Sequence, residues 1–205
     1  MGAILANLQK TVIAGFVLLV VIFVVVKAIS GNWAFFDTEW IKFVLRWLHV
    51  LSGVMWIGLL YYFNFVQTPG MPKIPDEQKP AITKVIAPSA LFWFRWSAMS
   101  TIFFGLILAG VSHYIVSALT LGLVQSGTPT TGPAIGIGMW LGIIMWFNVW
   151  FIIWPAQKIA LGIVNGPAEA KPKAARTAML FSRTNTLLSI PMLFCMIAGA
   201  HGGTM

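Results

Sequence analysis

Long apolar runs separated by short polar stretches dominate the chain. A hydrocarbon core of about 30 Å takes about 20 residues of helix, and five runs meet that length, at about 11–29, 40–65, 95–119, 135–157 and 180–200. The pattern predicts an all-α fold, a polytopic transmembrane helical bundle of about five spans, forming a single integral membrane domain over residues 1–205. The first run, TVIAGFVLLVVIFVVVKAIS, follows Lys10 and ends on the small residues Ala28 and Ser30, as a secretion signal does. Its apolar core is longer than a signal needs, so it is read as a retained span.

Composition agrees with a membrane class: 59% of residues are hydrophobic and 9% charged, against about 25% charged in an average soluble domain. The basic residues are unevenly distributed. With five spans, Lys10, Lys73, Lys79, Lys84, Arg95, Lys158, Lys171, Lys173, Arg176 and Arg183 fall on one side or its membrane edge, and only Lys27, Lys42 and Arg46 on the other. The positive-inside tendency then predicts a cytoplasmic N-terminus and a periplasmic C-terminus in a bacterial inner membrane. The net charge of +8 follows from this asymmetry and from attraction to the anionic lipid bilayer, and needs no nucleic acid. A single cysteine, Cys195, excludes an internal disulfide and a C-x-x-C-H haem attachment, and reads as a small buried apolar side chain.

Two connections bear on the layout. The stretch QTPGMPKIPDEQKPAITKVIAPSA holds five prolines and is expected to be irregular, with at most a short surface helix near 76–86. The stretch GPAEAKPKAARTAMLFSR opens with a Gly-Pro break and continues in good helix formers, which predicts an amphipathic turn leading into the last span.

The candidate chemistry begins with three histidines, His49, His113 and His201. In the predicted orientation His49 lies about 13 Å and His113 about 9 Å below the outer surface, at 1.5 Å per residue, and His201 directly follows the last span. All three fall in the outer half. Arg46, Ser52, Gly53 and Trp56 share the helix face of His49, and Ala109, Gly110 and Ser117 that of His113. Gly138 and Gly142 form a GxxxG, and Ala198-Gly199-Ala200 closes the last span. Such small residues permit close helix packing; the same clearance suits a flat macrocycle whose iron is held by imidazoles of facing helices. His49, His113 and His201 are therefore candidate haem b ligands, with Gly53 and Gly110 giving room. The competing readings are hydrogen-bonded structural histidines and copper, because imidazole alone does not name the metal. Arg46, costly at that depth, would meet a haem propionate, a lipid phosphate, or Asp37 or Glu39.

A second polar layer is expected at the cytoplasmic span ends: Asn64, Gln67, Arg95, Ser97, Asn148, Gln157, Arg183, Thr184 and Asn185. Trp93, Trp96, Trp150 and Trp154 fit an interfacial aromatic belt, in which case the polar residues anchor and cap. Alternatively the arginines and amides bind an anionic or amide-like group, such as propionates, a quinone or a small substrate. No carboxylate accompanies them, which argues against general-base chemistry there. Phosphate-loop, zinc-spacing and nucleophile-elbow motifs are absent from the sequence.

The segments RWLHVLSGVMWIGLLYYFNFVQTP, FNVWFIIWPAQ and SRTNTLLSIPMLFCM resemble the membrane domain of PuuD-type urate hydroxylases, the urate oxidase N-terminal domain. The histidine followed by Gly and WIG is more distantly similar to HemJ-type protoporphyrinogen oxidases and CopD-type copper proteins. The resemblance implies a membrane redox protein linked to a cytochrome c. The chain is shorter than that family's membrane domain and carries no cytochrome segment, so a separate periplasmic cytochrome c is the expected electron acceptor. Three functions follow as expectations. The first is a b-type cytochrome-like electron carrier. The second is a non-catalytic accessory subunit of a larger respiratory or photosynthetic membrane complex. The third is a urate or purine hydroxylase subunit binding substrate through Arg95, Asn148, Arg183 and Asn185.

Overall fold

The computed structural model describes all residues except 1, 32, 34–35, 125–132, 165–166, 168 and 201–205, and the regular structure of the described residues is helical throughout. After a single helical turn at Gly2–Leu5, the helices are α1 (Leu8–Ser30), α2 (Thr38–Lys73), α3 (Lys79–Val111), the short α4 (Ile115–Leu119), α5 (Pro133–Ala160) and α6 (Ala170–Ala200). Five of them, all but α4, are long and apolar enough to cross a membrane. The chain divides into two compact units, Met1–Ile41 and Lys42–Met205.

In the first unit α1 has a mean hydropathy of 3.1 and no buried side chain, a surface suited to lipid. Asn7 caps it by accepting the Lys10 amide at 3.1 Å, and Gly31 ends it in the left-handed region at φ 66°, a conformation glycine adopts without steric cost. Asp37 caps the start of α2 in the same way, accepting the Trp40 amide at 2.8 Å. That bond gives the Asp37 carboxylate a role in the helix start.

In the second unit side-chain contacts define an up-down-up-down bundle of α2, α3, α5 and α6. Phe63 meets Phe94 while His49 meets Thr101, so α2 and α3 run antiparallel. Trp96 meets Trp150 and Ile102 approaches Gly142, which pairs α3 with α5. Gly138 packs on Cys195 and Asn148 bonds Asn185, pairing α5 with α6; Tyr61 reaches Ser189 and Asn64 reaches Ser182, closing the ring between α6 and α2. Trp56, Leu60, Phe94, Met145 and Val149 fill the centre, each 1% exposed or less. Between lipid-embedded helices such packing, rather than removal of apolar surface from water, provides the attraction. The glycines serve it directly: a Cβ on Gly138 would lie 3.2 Å from Cys195 Cβ, and one on Gly199 2.8 Å from Ile135 Cβ. The space they leave is filled by the neighbouring helix.

Three π turns interrupt the α-helical ladder, at Tyr62–Gln67, Ile82–Ile86 and Asn148–Ile153. Each is followed two residues later by a proline, Pro69, Pro88 or Pro155. A proline lacks the amide that would bond the carbonyl four residues back, and its ring collides with that carbonyl. Widening the preceding turn to i→i+5 bonding relieves both faults. Pro191 lies inside α6 without such a turn.

These turns correct the expected irregular loop. Helix continues to Lys73 and resumes at Lys79, leaving only Ile74–Gln78 between α2 and α3, where Asp76 and Lys79 pair at 2.6 Å. Four of the five prolines stand in first helical turns, where helix tolerates them, and Pro75 lies in the remaining connection. The third span correspondingly begins well before residue 95 and ends at Val111. The helix-forming stretch before the last span is continuous with it from Ala170.

Candidate functional site

Two polar sites lie on α3, one at Thr101–Gly105 and one at Arg95 near the middle of the helix, about 9–15 Å apart along its axis. At the first, the His49 ring of α2 enters α3 between Thr101 and Gly105. Its Nδ1 is 2.8 Å from the Thr101 carbonyl oxygen, and a carbonyl only accepts, so Nδ1 carries the proton and Nε2 keeps its lone pair in the neutral ring. No described residue bonds Nε2. A Cβ at Gly105 would lie 2.9 Å from both Cε1 and Nδ1 of the ring, so glycine is what admits the imidazole. Gly53 lies against the Thr101 methyl, with 3.8 Å available to a Cβ, and the Thr101 hydroxyl donates to the Ser97 carbonyl at 2.7 Å. Arg46, one turn from His49, is exposed and its charge acts on Tyr114.

His113 does not join His49. α3 ends in a Schellman turn, in which the His113 amide bonds Gly110 O at 3.0 Å and the Tyr114 amide bonds Ala109 O at 3.1 Å. His113 occupies the left-handed position of that turn, at φ 60°, with its side chain exposed. The expected shared face with Ser117 is lost because the helix breaks between them. Gly105, which touches His49, and Val111, where α3 ends, are already about 9 Å apart along the axis, so the two imidazoles do not face one metal. Gly110 borders open space. His201 lies outside the described residues.

Around the middle of α3 the anticipated polar layer separates into distinct parts. Asn148 Nδ2 donates to Asn185 Oδ1 at 2.8 Å, and Asn185 Nδ2 donates to the Met145 carbonyl at 2.9 Å. On α2, Asn64 Nδ2 donates to the Leu60 carbonyl at 2.9 Å and to Ser182 Oγ at 2.8 Å. Both carbonyls stand just upstream of a π turn, where the shift of register leaves an acceptor without its amide. The asparagines satisfy these acceptors and tie α6 to its neighbours. Asn185 is fully buried and committed to this structural bond. Arg183 is exposed, two positions along α6 and on another face, so it does not meet Asn148, Asn185 or Arg95 in a shared site.

Arg95 has a different setting. Its Cζ lies 3.2 Å from the ring centroid of Trp154 and 6.0 Å from that of Trp150, and Trp96 meets Trp150 edge-on at 5.5 Å. Arg95 Nε and Nη1 and the indole nitrogens of Trp146 and Trp150 are all shielded from solvent and without a hydrogen-bond partner. Each such donor costs about 1–3 kcal/mol, more when charged, and folded proteins leave few. Trp146, Trp150 and Trp154 are four residues apart. In a regular α-helix each step would drift about 40°, placing Trp154 about 80° round from Trp146. The wide turn at Asn148–Ile153 takes up part of that drift, and Trp150 and Trp154 both face Arg95. The spacing and the proline were visible in the sequence; the guanidinium stacking on them from another helix was not.

Among the described residues no group of three or more His, Cys, Asp or Glu side chains could hold a metal ion. The fold and these sites define a polytopic helical membrane protein. The urate oxidase N-terminal family matches residues 35–83 and 123–205, more than half of the chain, and the chain belongs to that family. The matched parts contain His49, Trp150, Trp154 and Asn185; Arg95, Thr101, Gly105 and His113 lie between them. No curated protein and no solved structure matches the chain.

Proposed function

We propose that this urate-related membrane protein is a redox component in which His49 holds a b-type haem and electrons pass to a periplasmic cytochrome c. One observation carries the reading: the Nδ1 proton of His49 is committed to the Thr101 carbonyl, which leaves Nε2 as the ligating atom. Metal-binding imidazoles are oriented by this kind of second bond, which fixes the tautomer and raises the basicity of the free nitrogen. His49 Nε2 would hold a haem iron, for which imidazole is a common ligand; copper would use the same atom. When bound, the haem would supply one-electron transfer.

The residues of the chain have definable parts in this function. Thr101 and Gly105 hold the ring in one orientation, and Arg46, exposed one turn away, can bind a propionate at the membrane edge. The test is a dithionite-reduced minus oxidised spectrum of the detergent-purified chain. A b-type spectrum in wild type and in His113→Ala, lost in His49→Ala, is expected. A spectrum unchanged by His49→Ala removes the assignment.

A further inference from the structure

One face of α5 changes character along its length. Phe147, Phe151, Trp154 and Lys158 follow at i, i+4, i+7 and i+11, the spacing of neighbours on a single helix face. Phe147 and Phe151 stack at 4.8 Å and are 48% and 58% exposed. Trp154 then carries Arg95 of α3 on its ring, with Cζ 3.2 Å from the centroid, and Lys158 Nζ is 5.7 Å from the same centroid. Just beyond, Lys171 of α6 brings its Nζ to 3.7 Å from where a Cβ on Gly162 would stand. Apolar surface, aromatic ring and cations therefore succeed one another toward the end of α5.

The helix dipole accounts for only part of this order. Cations gather at a helix C-terminus, but the attraction fades within the last turn, and Trp154 stands six residues before Ala160. Arg95 is thus held beyond its reach. Among the described residues neither Arg95 nor Lys158 makes an ion pair, and Arg95 Nε and Nη1 and Trp150 Nε1 have no acceptor. Guanidinium, ammonium and indole offer only donors, so the partner they lack is an acceptor-rich anion. The depth of the site names its source. About 20 residues counted back from Val111 on α3, or forward from Pro133 on α5, end beside Trp93 and Trp154. Trp93 and Trp96, 57% and 48% exposed on either side of Arg95, suit the same headgroup level.

We propose that Arg95, Trp154 and Lys158 bind one net-anionic phospholipid, its phosphate accepting from the guanidinium and the ammonium and an acyl chain lying along Phe147 and Phe151. Basic sites between membrane helices take anionic headgroups in this way. A zwitterionic lipid would bring an ammonium of its own to a place that already holds two unpaired cations. The site stands apart from His49 and does not rest on the haem assignment.

The test is native mass spectrometry of the full chain, delipidated in detergent and then titrated with dioleoylphosphatidylglycerol, dioleoylphosphatidylethanolamine or inorganic phosphate. Expected are a single tightly held phosphatidylglycerol in wild type and about tenfold weaker retention in Arg95→Ala, from the loss of charge-assisted bonds. Excess inorganic phosphate, which lacks the chains, should not displace the lipid. Lys158→Gln, toward the end of α5, should weaken retention severalfold, and it serves if Arg95→Ala does not fold. Absence of a phosphatidylglycerol complex, retention unchanged in the folded variants, or equal retention of phosphatidylethanolamine would each overturn the proposal. Displacement by inorganic phosphate would overturn it too, and would assign the site to a free anion.

Discussion

Two stretches of α3 handle a basic side chain among apolar neighbours in opposite ways. At Thr101–Gly105 His49 is received by a groove fitted to it, with a backbone acceptor for Nδ1 and a glycine beneath the ring. Near the middle of the helix Arg95 is held by aromatic faces while Nε and Nη1 go without acceptors. The first arrangement orients one nitrogen and frees the other, as a metal ligand requires. The second is incomplete without something that accepts hydrogen bonds. The lesson is that a polar residue in a membrane bundle is interpreted by what its remaining atoms lack. The Asn148–Asn185 pair supplies the reference case, since its bonds are made within the bundle and it needs no ligand.

That reference case gives the largest expected effect on stability. Asn185→Ala leaves the Met145 carbonyl and the Asn148 amide buried without partners, and should cost about 2–4 kcal/mol from two lost bonds, read as a lower unfolding midpoint in detergent. Phospholipid retention per folded molecule should be unchanged, and a selective loss of retention would move Asn185 into the ligand site. Gly105→Ala comes next. Its Cβ would sit 2.9 Å from the His49 ring, so either the ring or α3 must shift, at about 1–3 kcal/mol. The haem spectrum should change while Arg95-dependent binding persists. An unaltered spectrum would mean that the groove does not orient the ligand. The smallest effect has the opposite sign: His113→Gly relieves a left-handed non-glycine residue and should stabilise the fold by about 1 kcal/mol with no spectral change. Destabilisation, or loss of the haem bands, would return His113 to the site.

Much of the fold could be read from apolar run length alone, because a membrane span imposes both a length and a composition. The five spanning helices follow from that pattern, and the helical lead-in to α6 from the helix formers after the Gly-Pro break. The proline-rich connection did not, since proline reads as a helix breaker until the register of the preceding turn is known, and Pro69, Pro88 and Pro155 are accommodated by π turns. His113 looked like part of a helix face for a related reason: nothing in its side chain announces a left-handed turn, which glycine would have signalled. The polar layer was anticipated in composition, but its partition depended on helix rotation. Asn148 and Asn185 meet, Arg183 two positions away does not, and Arg95 finds Trp150 and Trp154, indoles expected in an interfacial belt.

The most direct measurement is the dithionite-reduced minus oxidised optical spectrum of the detergent-purified chain. The account predicts a b-type haem in wild type and no such band in His49→Ala. A folded wild-type chain without haem, or a haem band that persists in His49→Ala, would contradict it.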